Sequence, residues 1–224
     1  DRGFFRRVFT TPHSVYRERL QFAGMTGHDR VLDAGCGFGQ WTLALAETNR
    51  HIHALDLDVS RVGVLTRLGS LLNIESVSTS AGRLDQLPFA DSSFDAVFCY
   101  SVVNWGDWRR GTSELVRVAK PGGAIYVSAN GLGWYIYNLV EGHNDAEGPI
   151  GSPRQMAWDT IRHTLGSHLG MPIKPGRISI ISPRALATQL KGCGARVEQI
   201  AGDGRAGSSG MTKPKTFFEP KKYI

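Results

Sequence analysis

The sequence predicts an α/β fold built on a parallel sheet with helices on both faces. Two observations carry that expectation. From Arg30 to about Asn130, short apolar runs alternate with stretches whose apolar residues recur at helical spacing. The first run, Val31–Gln40 (VLDAGCGFGQ), opens directly onto glycines at alternate positions. Such alternation implies βαβ units with right-handed crossovers, which bury both faces of a sheet.

The elements follow in order. Thr11–Phe22 reads as a helix with Ser14 as its N-cap, inside an N-terminal helical segment over 1–29. Arg30–Ala34 is the first strand, and Gln40–Glu47 begins the helix after the glycines. His51–Leu55 is a second strand ending at Asp56, and Val62, Leu65, Leu68 and Leu72 mark the next helix. Ser76–Ser80 is a weak third strand and Phe94–Tyr100 a strong fourth. Trp108, Thr112, Leu115 and Val118 mark a helix face that Lys120-Pro121-Gly122-Gly123 ends, before a fifth strand at Ala124–Ala129.

Beyond 130 the rhythm breaks. Pro121–Val140 carries no charge, but its glycines, Asn130 and Asn138 would be costly in lipid, so it reads as a buried strand followed by a loop, not a membrane span. Residues 131–181, with a helical piece near Met156–Leu169, read as a cap-like insertion over one face of the sheet. The pattern resumes with a helix at Pro183–Lys191 and a strand at Ala195–Ile200, within a C-terminal segment over 182–224. Either KTFFEP (Lys215–Pro220) supplies a further strand after a flexible loop at Gly202–Gly210, or the natural chain runs on past Ile224. The second alternative makes the chain one domain of a longer protein or a subunit of a complex.

Bulk composition narrows the class. At 224 residues, 41% hydrophobic and 21% charged, the chain is an ordinary globular one with room for a single large core. Its net charge of +6 favours an anionic partner, although the basic residues are spread out. The cysteines Cys36, Cys99 and Cys193 lie far apart with no CxxC pair, which argues for a reducing, cytoplasmic compartment and against a disulfide framework or a zinc site.

The glycines sit where a parallel α/β sheet binds ligands, beyond the carboxyl end of a strand. A P-loop needs Lys-Ser or Lys-Thr after its glycines, and none follows. A dinucleotide loop needs GxGxxG, whereas Gly35, Gly37 and Gly39 form GxGxG. A purely structural turn is the remaining bland reading. Two carboxylates shift the balance. Asp33 stands two residues before the first glycine, where it would repel a pyrophosphate and attract a cation. Asp56, about twenty residues after the glycines begin, suits the two hydroxyls of a ribose. A positively charged, ribose-bearing ligand without phosphate fits both, and S-adenosylmethionine has those features.

Four blocks, VLDAGCGFGQWTLALA, HALDLDVSRV, GRLDQLPFADSSFDAVFCYSVVNW and ELVRVAKPGGAIYVS, occur in order across roughly 30–130. Together they resemble the class I S-adenosylmethionine-dependent methyltransferases of the broad small-molecule type. The resemblance implies a Rossmann-like, seven-stranded, mostly parallel sheet with one antiparallel strand near its end, and a cofactor-binding core over 30–130. It implies that Gly35, Gly37 and Gly39 approach the methionine part of S-adenosylmethionine, with Asp33 on its ammonium side. Asp56 would take the ribose hydroxyls, Leu57 would line the adenine, and Arg83 and Leu84 would flank the adenine edge. Arg83 stands where the family commonly has an acid, so Asp85 or the backbone must accept from the adenine amino group. Cys99 and Tyr100 would meet the methionine end, with Ser101, Asn104 and Trp105 facing the acceptor.

Asn104 replaces a frequent histidine and cannot serve as a general base near neutral pH. If a proton must be removed, His143, Asp145, His163 and Tyr16 are the candidates, with a polar surface loop the blander reading of His143. His51 and His53, alternating on one strand, are expected to be partly buried side chains, not functional ones. The leading expectation is methyl transfer to an oxygen or nitrogen of a small molecule, without a metal. An RNA methyltransferase is the alternative suggested by the charge, but YSVVNW occupies the place where base-modifying enzymes carry a proline–aromatic tetrapeptide. A non-catalytic scaffold subunit with the same fold is the third reading.

Overall fold

The computed structural model describes residues 2–141, 152–169, 171 and 177–201. Its centre is a five-stranded sheet: β1 (Arg30–Ala34), β2 (His51–Asp56), β3 (Val77–Ala81), β4 (Phe94–Tyr100) and β5 (Ala119–Ser128), in spatial order β3-β2-β1-β4-β5. Every pairing is parallel. The chain steps from β1 outward to β3, then returns to pair β4 on the other side of β1. The strand order therefore reverses between β1 and β4, which places the ligand crevice at their carboxyl ends.

Helices cover both faces, as the alternation predicts. On one face α2 (His13–Phe22), α3 (Gln40–Ala46) and α4 (Val59–Leu71) bury Tyr16, Leu20, Trp41, Leu45 and Leu65 against Val31, Ile52, Ala54 and Phe98. On the other, α5 (Trp108–Val118) and α8 (Pro183–Gly192) close over Leu32, Val97 and Cys99 with Trp108, Leu115 and Val118. Burying each such Leu or Phe is worth roughly 1.5–3 kcal/mol, more than the ~1 kcal/mol of a typical cap, so the apolar faces decide where these helices dock. The caps decide where they begin. Asp58 accepts from the Ser60 and Arg61 amides, Asp107 from Arg109 and Arg110, and Ser182 from Ala185.

Four expectations are revised. Five strands stand among the described residues, not seven, and none is antiparallel: Ala195–Ile200 lies next to α8 without a ladder partner there, and a strand exists only where another pairs it. KTFFEP and Gly202–Gly210 fall outside the described residues. Pro121–Gly123 does not end α5 in a loop. It bulges inside β5, where the register steps from Phe94↔Ala119 to Ala96↔Ala124. After β5 the chain forms a helix, α6 (Leu132–Glu141), where a loop was expected, because Tyr135 and Asn138 bury one face against α7 (Pro153–His168). Ser14 lies inside α2, whose N-cap is Pro12, because a further helix, α1 (Arg2–Thr10), delivers the chain immediately before it.

The glycine loop is shaped by packing at two of its three glycines. Gly35 and Gly39 both have φ near +90°, and a β-carbon on Gly35 would stand 2.5 Å from the Val102 side chain. On Gly39 it would overlap Leu65, itself fully buried. Gly37 also has positive φ, but a β-carbon there meets nothing closer than Gln40 Oε1 at 3.9 Å. Gly35→Ala and Gly39→Ala should each lose about 2–5 kcal/mol of stability by urea unfolding, from left-handed strain plus overpacking. Gly37→Ala should lose only the strain, about 1–2 kcal/mol. Equal losses at the three positions would contradict this division.

Candidate functional site

Four backbone amides of the loop after β1 are spent internally. The Gly35 and Cys36 amides donate to the Leu55 carbonyl at 2.7 and 3.0 Å, and the Gly39 amide to Cys36 at 2.9 Å. The Gly37 amide donates to Asp56 Oδ2 at 2.8 Å, and Asp56 Oδ1 accepts from the Asp58 amide at 2.9 Å. A phosphate cradle needs amides pointing outward at the ligand. Here the Gly35, Cys36 and Gly37 amides hold the end of β2 and its carboxylate, and the side chains beside them are acceptors.

Asp33, at the end of β1, is buried, and its Oδ2 accepts from the Thr42 hydroxyl at 2.6 Å. Burial pushes its carboxyl up to about 7; the Thr42 bond opposes that and the nearby Asp56 charge adds to it. Gln40, at the start of α3, holds a buried Oε1 with no donor among the described residues, on the open side of Gly37. Asp33, Asp56 and Gln40 thus converge as three acceptors around one open backbone position. That donor-poor set fits the ammonium and ribose hydroxyls of S-adenosylmethionine and suits a phosphate poorly.

Of the expected flanking residues, Leu57 follows Asp56 and is 67% exposed, an apolar side chain free to meet a flat ring. Arg83 forms a bidentate pair with Asp85 at 2.9 and 2.7 Å. That pair holds the Asp85 carboxyl below its usual range and turns the side chain expected to accept from an amino group toward the arginine. Leu84 packs against α5 at Gly111. Alternation along β4 sends Cys99 and Tyr100 to opposite faces. Cys99 joins the α5 side of the core, where burial pushes its thiol up to about 12, and Tyr100 joins Trp41, with ring centroids 4.8 Å apart.

Ser101 adopts φ +56°, a strained left-handed turn that ends β4, and its amide donates to Ser128 at 3.0 Å. The chain then turns so that Asn104 is buried and Trp105 is 43% exposed. Asn104 Nδ2 donates to the Tyr135 hydroxyl at 3.0 Å, a group also bonded by Asn130, and the Asn104 carbonyl accepts from the Ser179 amide at 2.8 Å. Asn104 Oδ1 and Ser179 Oγ are buried with no partner among the described residues. A polar cluster from three separate segments therefore stands beyond the end of β4. Burial pushes the Tyr135 hydroxyl up to about 12.

The proposed proton acceptors scatter. Tyr16 is buried in the α2–α3 core, edge-on to Trp41, and its hydroxyl donates to the Val8 carbonyl at 2.7 Å. His163 is half-buried on α7. His143 and Asp145 lie outside the described residues. His53 bridges Ser78 and Ser80 on the neighbouring strand at 2.9 and 2.8 Å, as expected of a partly buried strand residue, while His51 is exposed. Sequence reading passed over Thr42, Tyr135 and Ser179. Thr42 stands within the first quoted block, so Asp33 could have suggested it; Tyr135 and Ser179 carry no local signal.

Residues 32–127 match a family described as a methyltransferase domain. The malonyl-[acyl-carrier protein] O-methyltransferase of Erwinia billingiae is 29% identical over 184 residues, 80% of this chain and 69% of that protein. The demethylmenaquinone methyltransferase of Corynebacterium urealyticum is 36% identical over 113 residues, 50% of this chain and 45% of its own length. The chain thus spans about half the length of that relative. An S-adenosylmethionine-dependent methyltransferase from Aquifex aeolicus, 18% identical, shares the fold with a TM-score of 0.55 over 80% of this chain and 79% of its own. No helix among the described residues is long and apolar enough to cross a membrane. With four sequence blocks on the expected strands and loops, residues 32–127 are similar to a methyltransferase domain, and the fold is that of S-adenosylmethionine-dependent methyltransferases.

Proposed function

We propose that this chain binds S-adenosylmethionine and transfers its methyl group to an oxygen or nitrogen atom of a small molecule. The observation that carries the reading is the acceptor-rich cradle made by the Asp33 and Asp56 carboxylates and Gln40 Oε1 beside Gly37. The relatives, one named for O-methylation of a malonyl-[acyl-carrier protein] and others for demethylmenaquinone, support methyl transfer. The net charge of +6 supports an anionic acceptor.

Bound in the cradle, S-adenosylmethionine supplies an electrophilic methyl on a positively charged sulfur. The chain's own work is then placement. Asp33 and Gln40 hold the ammonium end, Asp56 accepts from the ribose hydroxyls, and Leu57 covers the base. Asn104, Ser179 and Tyr135 orient the acceptor beyond β4, and alignment of the reacting atoms is the main source of rate. Neither Asn104 nor the up-shifted Tyr135 hydroxyl is a ready base near neutral pH, which favours an acceptor that loses its proton easily.

Isothermal titration should show S-adenosylhomocysteine binding to the folded chain, and mass spectrometry should show a mass gain of one methyl on a hydroxyl-, carboxyl- or amine-bearing acceptor. Folded protein that binds neither cofactor nor product would overturn the reading. Near pH 7 the Asp33 carboxyl is partly protonated, so capture of the ammonium should release up to about half a proton. Titrations in buffers of different ionisation enthalpy read that release, and Asp33→Asn should abolish it.

Without ligand, Asp33 should also set a pH slope. Its folded-state value of about 7 lies above the ordinary 3.8. The unfolded chain therefore releases this proton first, and stability falls as pH rises from about 4 to 7, by roughly 4 kcal/mol at most. Urea unfolding at several pH values should show the slope flatten in Asp33→Asn. In acceptor kinetics, Asn104→Ala should raise KM about 10–100-fold while leaving cofactor affinity unchanged, as expected of an orienting hydrogen-bond group.

A further inference from the structure

We propose that the outer face of the α6–α7 hairpin is a docking surface for an anionic lipid bilayer. The inference stands on this surface alone and not on the methyl-transfer reading.

The two helices pack through Tyr135, Ala157 and Ile178, with Trp134, Met156 and Ile161 against them, and this fixes which sides face outward. On α6, Leu132, Ile136 and Val140 recur every fourth residue and are 51%, 48% and 62% exposed. On α7, Trp158, Leu165 and Leu169 are 51%, 59% and 84% exposed. At 100° per residue those three lie within about 40° of one another around the helix, with Arg154 bordering them on one side and Arg162 on the other. The Arg154 guanidinium donates to the Val140 carbonyl at 3.0 Å, which joins the two apolar stripes across one arginine. The surface therefore runs from apolar stripe to arginine to apolar stripe to arginine.

Charge selects the occupant. Neither Arg154 nor Arg162 is ion-paired with a carboxylate among the described residues, and no acidic side chain described there lies between them; Asp159 sits beyond Arg162 and accepts from Gln155 at 3.2 Å. A second copy meeting this face through a two-fold axis would bring the same arginines toward one another without a compensating acid between them among the described residues. A bilayer surface meets both halves of the pattern. Apolar side chains enter the headgroup–acyl boundary, tryptophan sits at that depth, and arginines reach lipid phosphates. At 10 and 16 residues, these helices suit lying on the interface and not crossing it.

Flotation of the intact chain with vesicles tests this. It should float with phosphatidylcholine vesicles containing about one-third phosphatidylglycerol, several-fold less with phosphatidylcholine alone, and less again at high salt. Leu165→Gln/Leu169→Gln should abolish flotation. Arg154→Gln/Arg162→Gln should weaken binding to the anionic vesicles about 30-fold. All four positions are exposed, so unchanged thermal midpoints and unchanged circular dichroism will certify the fold of each variant. Flotation that the folded variants retain, or absence of flotation by the intact chain, overturns the proposal. So does a concentration-dependent dimer that Leu165→Gln/Leu169→Gln disperses in the absence of vesicle binding, which would assign the face to a second copy. None of these readouts requires methyl transfer, so failure of the cofactor reading leaves the test intact.

Discussion

A carboxylate at the dry end of the central strand is the constraint on which the site depends. Asp33 is buried between β2 and β4, with one hydroxyl donor from Thr42 and the Asp56 charge nearby. Such a group is costly to ionise alone and gains most from a cation brought beside it. The rest of the loop is consistent with that arrangement. The Gly35 and Cys36 amides are turned inward to the end of β2, Asp56 is pinned by two backbone donors, and Gln40 Oε1 adds a third acceptor. The same three-dimensional arrangement that would repel a phosphate prepares the crevice for a positive, hydroxyl-bearing ligand.

The glycines divide the labour in a way the motif conceals. Gly35 and Gly39 are there for the protein: the first lets Val102 of the β4 loop pack onto the β1 loop, the second lets Leu65 of α4 reach the start of α3. The first contact ties the segment carrying Ser101 and Asn104 to the glycine loop. Gly37 leaves open the space that a ligand can enter. A single GxGxG pattern thus combines two packing requirements with one open position.

The α6–α7 segment and the residues after it bond the loop beyond β4. α6 contributes Tyr135 to Asn104, and the segment at 178–180 bonds the same loop through Ser179 and bridges Trp105 at Ile178. Its inner side therefore helps build the polar cluster beyond β4, while its outer side carries the apolar and arginine stripes. Orientation of an acceptor and contact with its surroundings would fall to opposite faces of one hairpin.

Much of the core was legible because its signals are local. Phe94–Tyr100 is a run of apolar residues with strand spacing, Leu65 and Leu115 recur with helical period, and Asp33, Asp56 and the glycines sit at strand ends, where chain direction alone places them at one edge. Other features depend on partners far away in the chain. Whether Ala195–Ile200 pairs as a strand, whether Pro121–Gly123 ends a helix or bulges a strand, and whether 132–141 is loop or helix are decided by what packs alongside. Tyr16 could equally face a site or a core until α1 placed the Val8 carbonyl against its hydroxyl. Sequence by itself determined the alternation, the order of the strands along the chain and the acidic, glycine-rich loop, because these follow from periodicity and residue type. Tertiary structure alone decided which glycine opens to a ligand, which carboxylate is dry and which distant side chains meet Asn104, because each depends on contacts between segments that the linear order does not bring together.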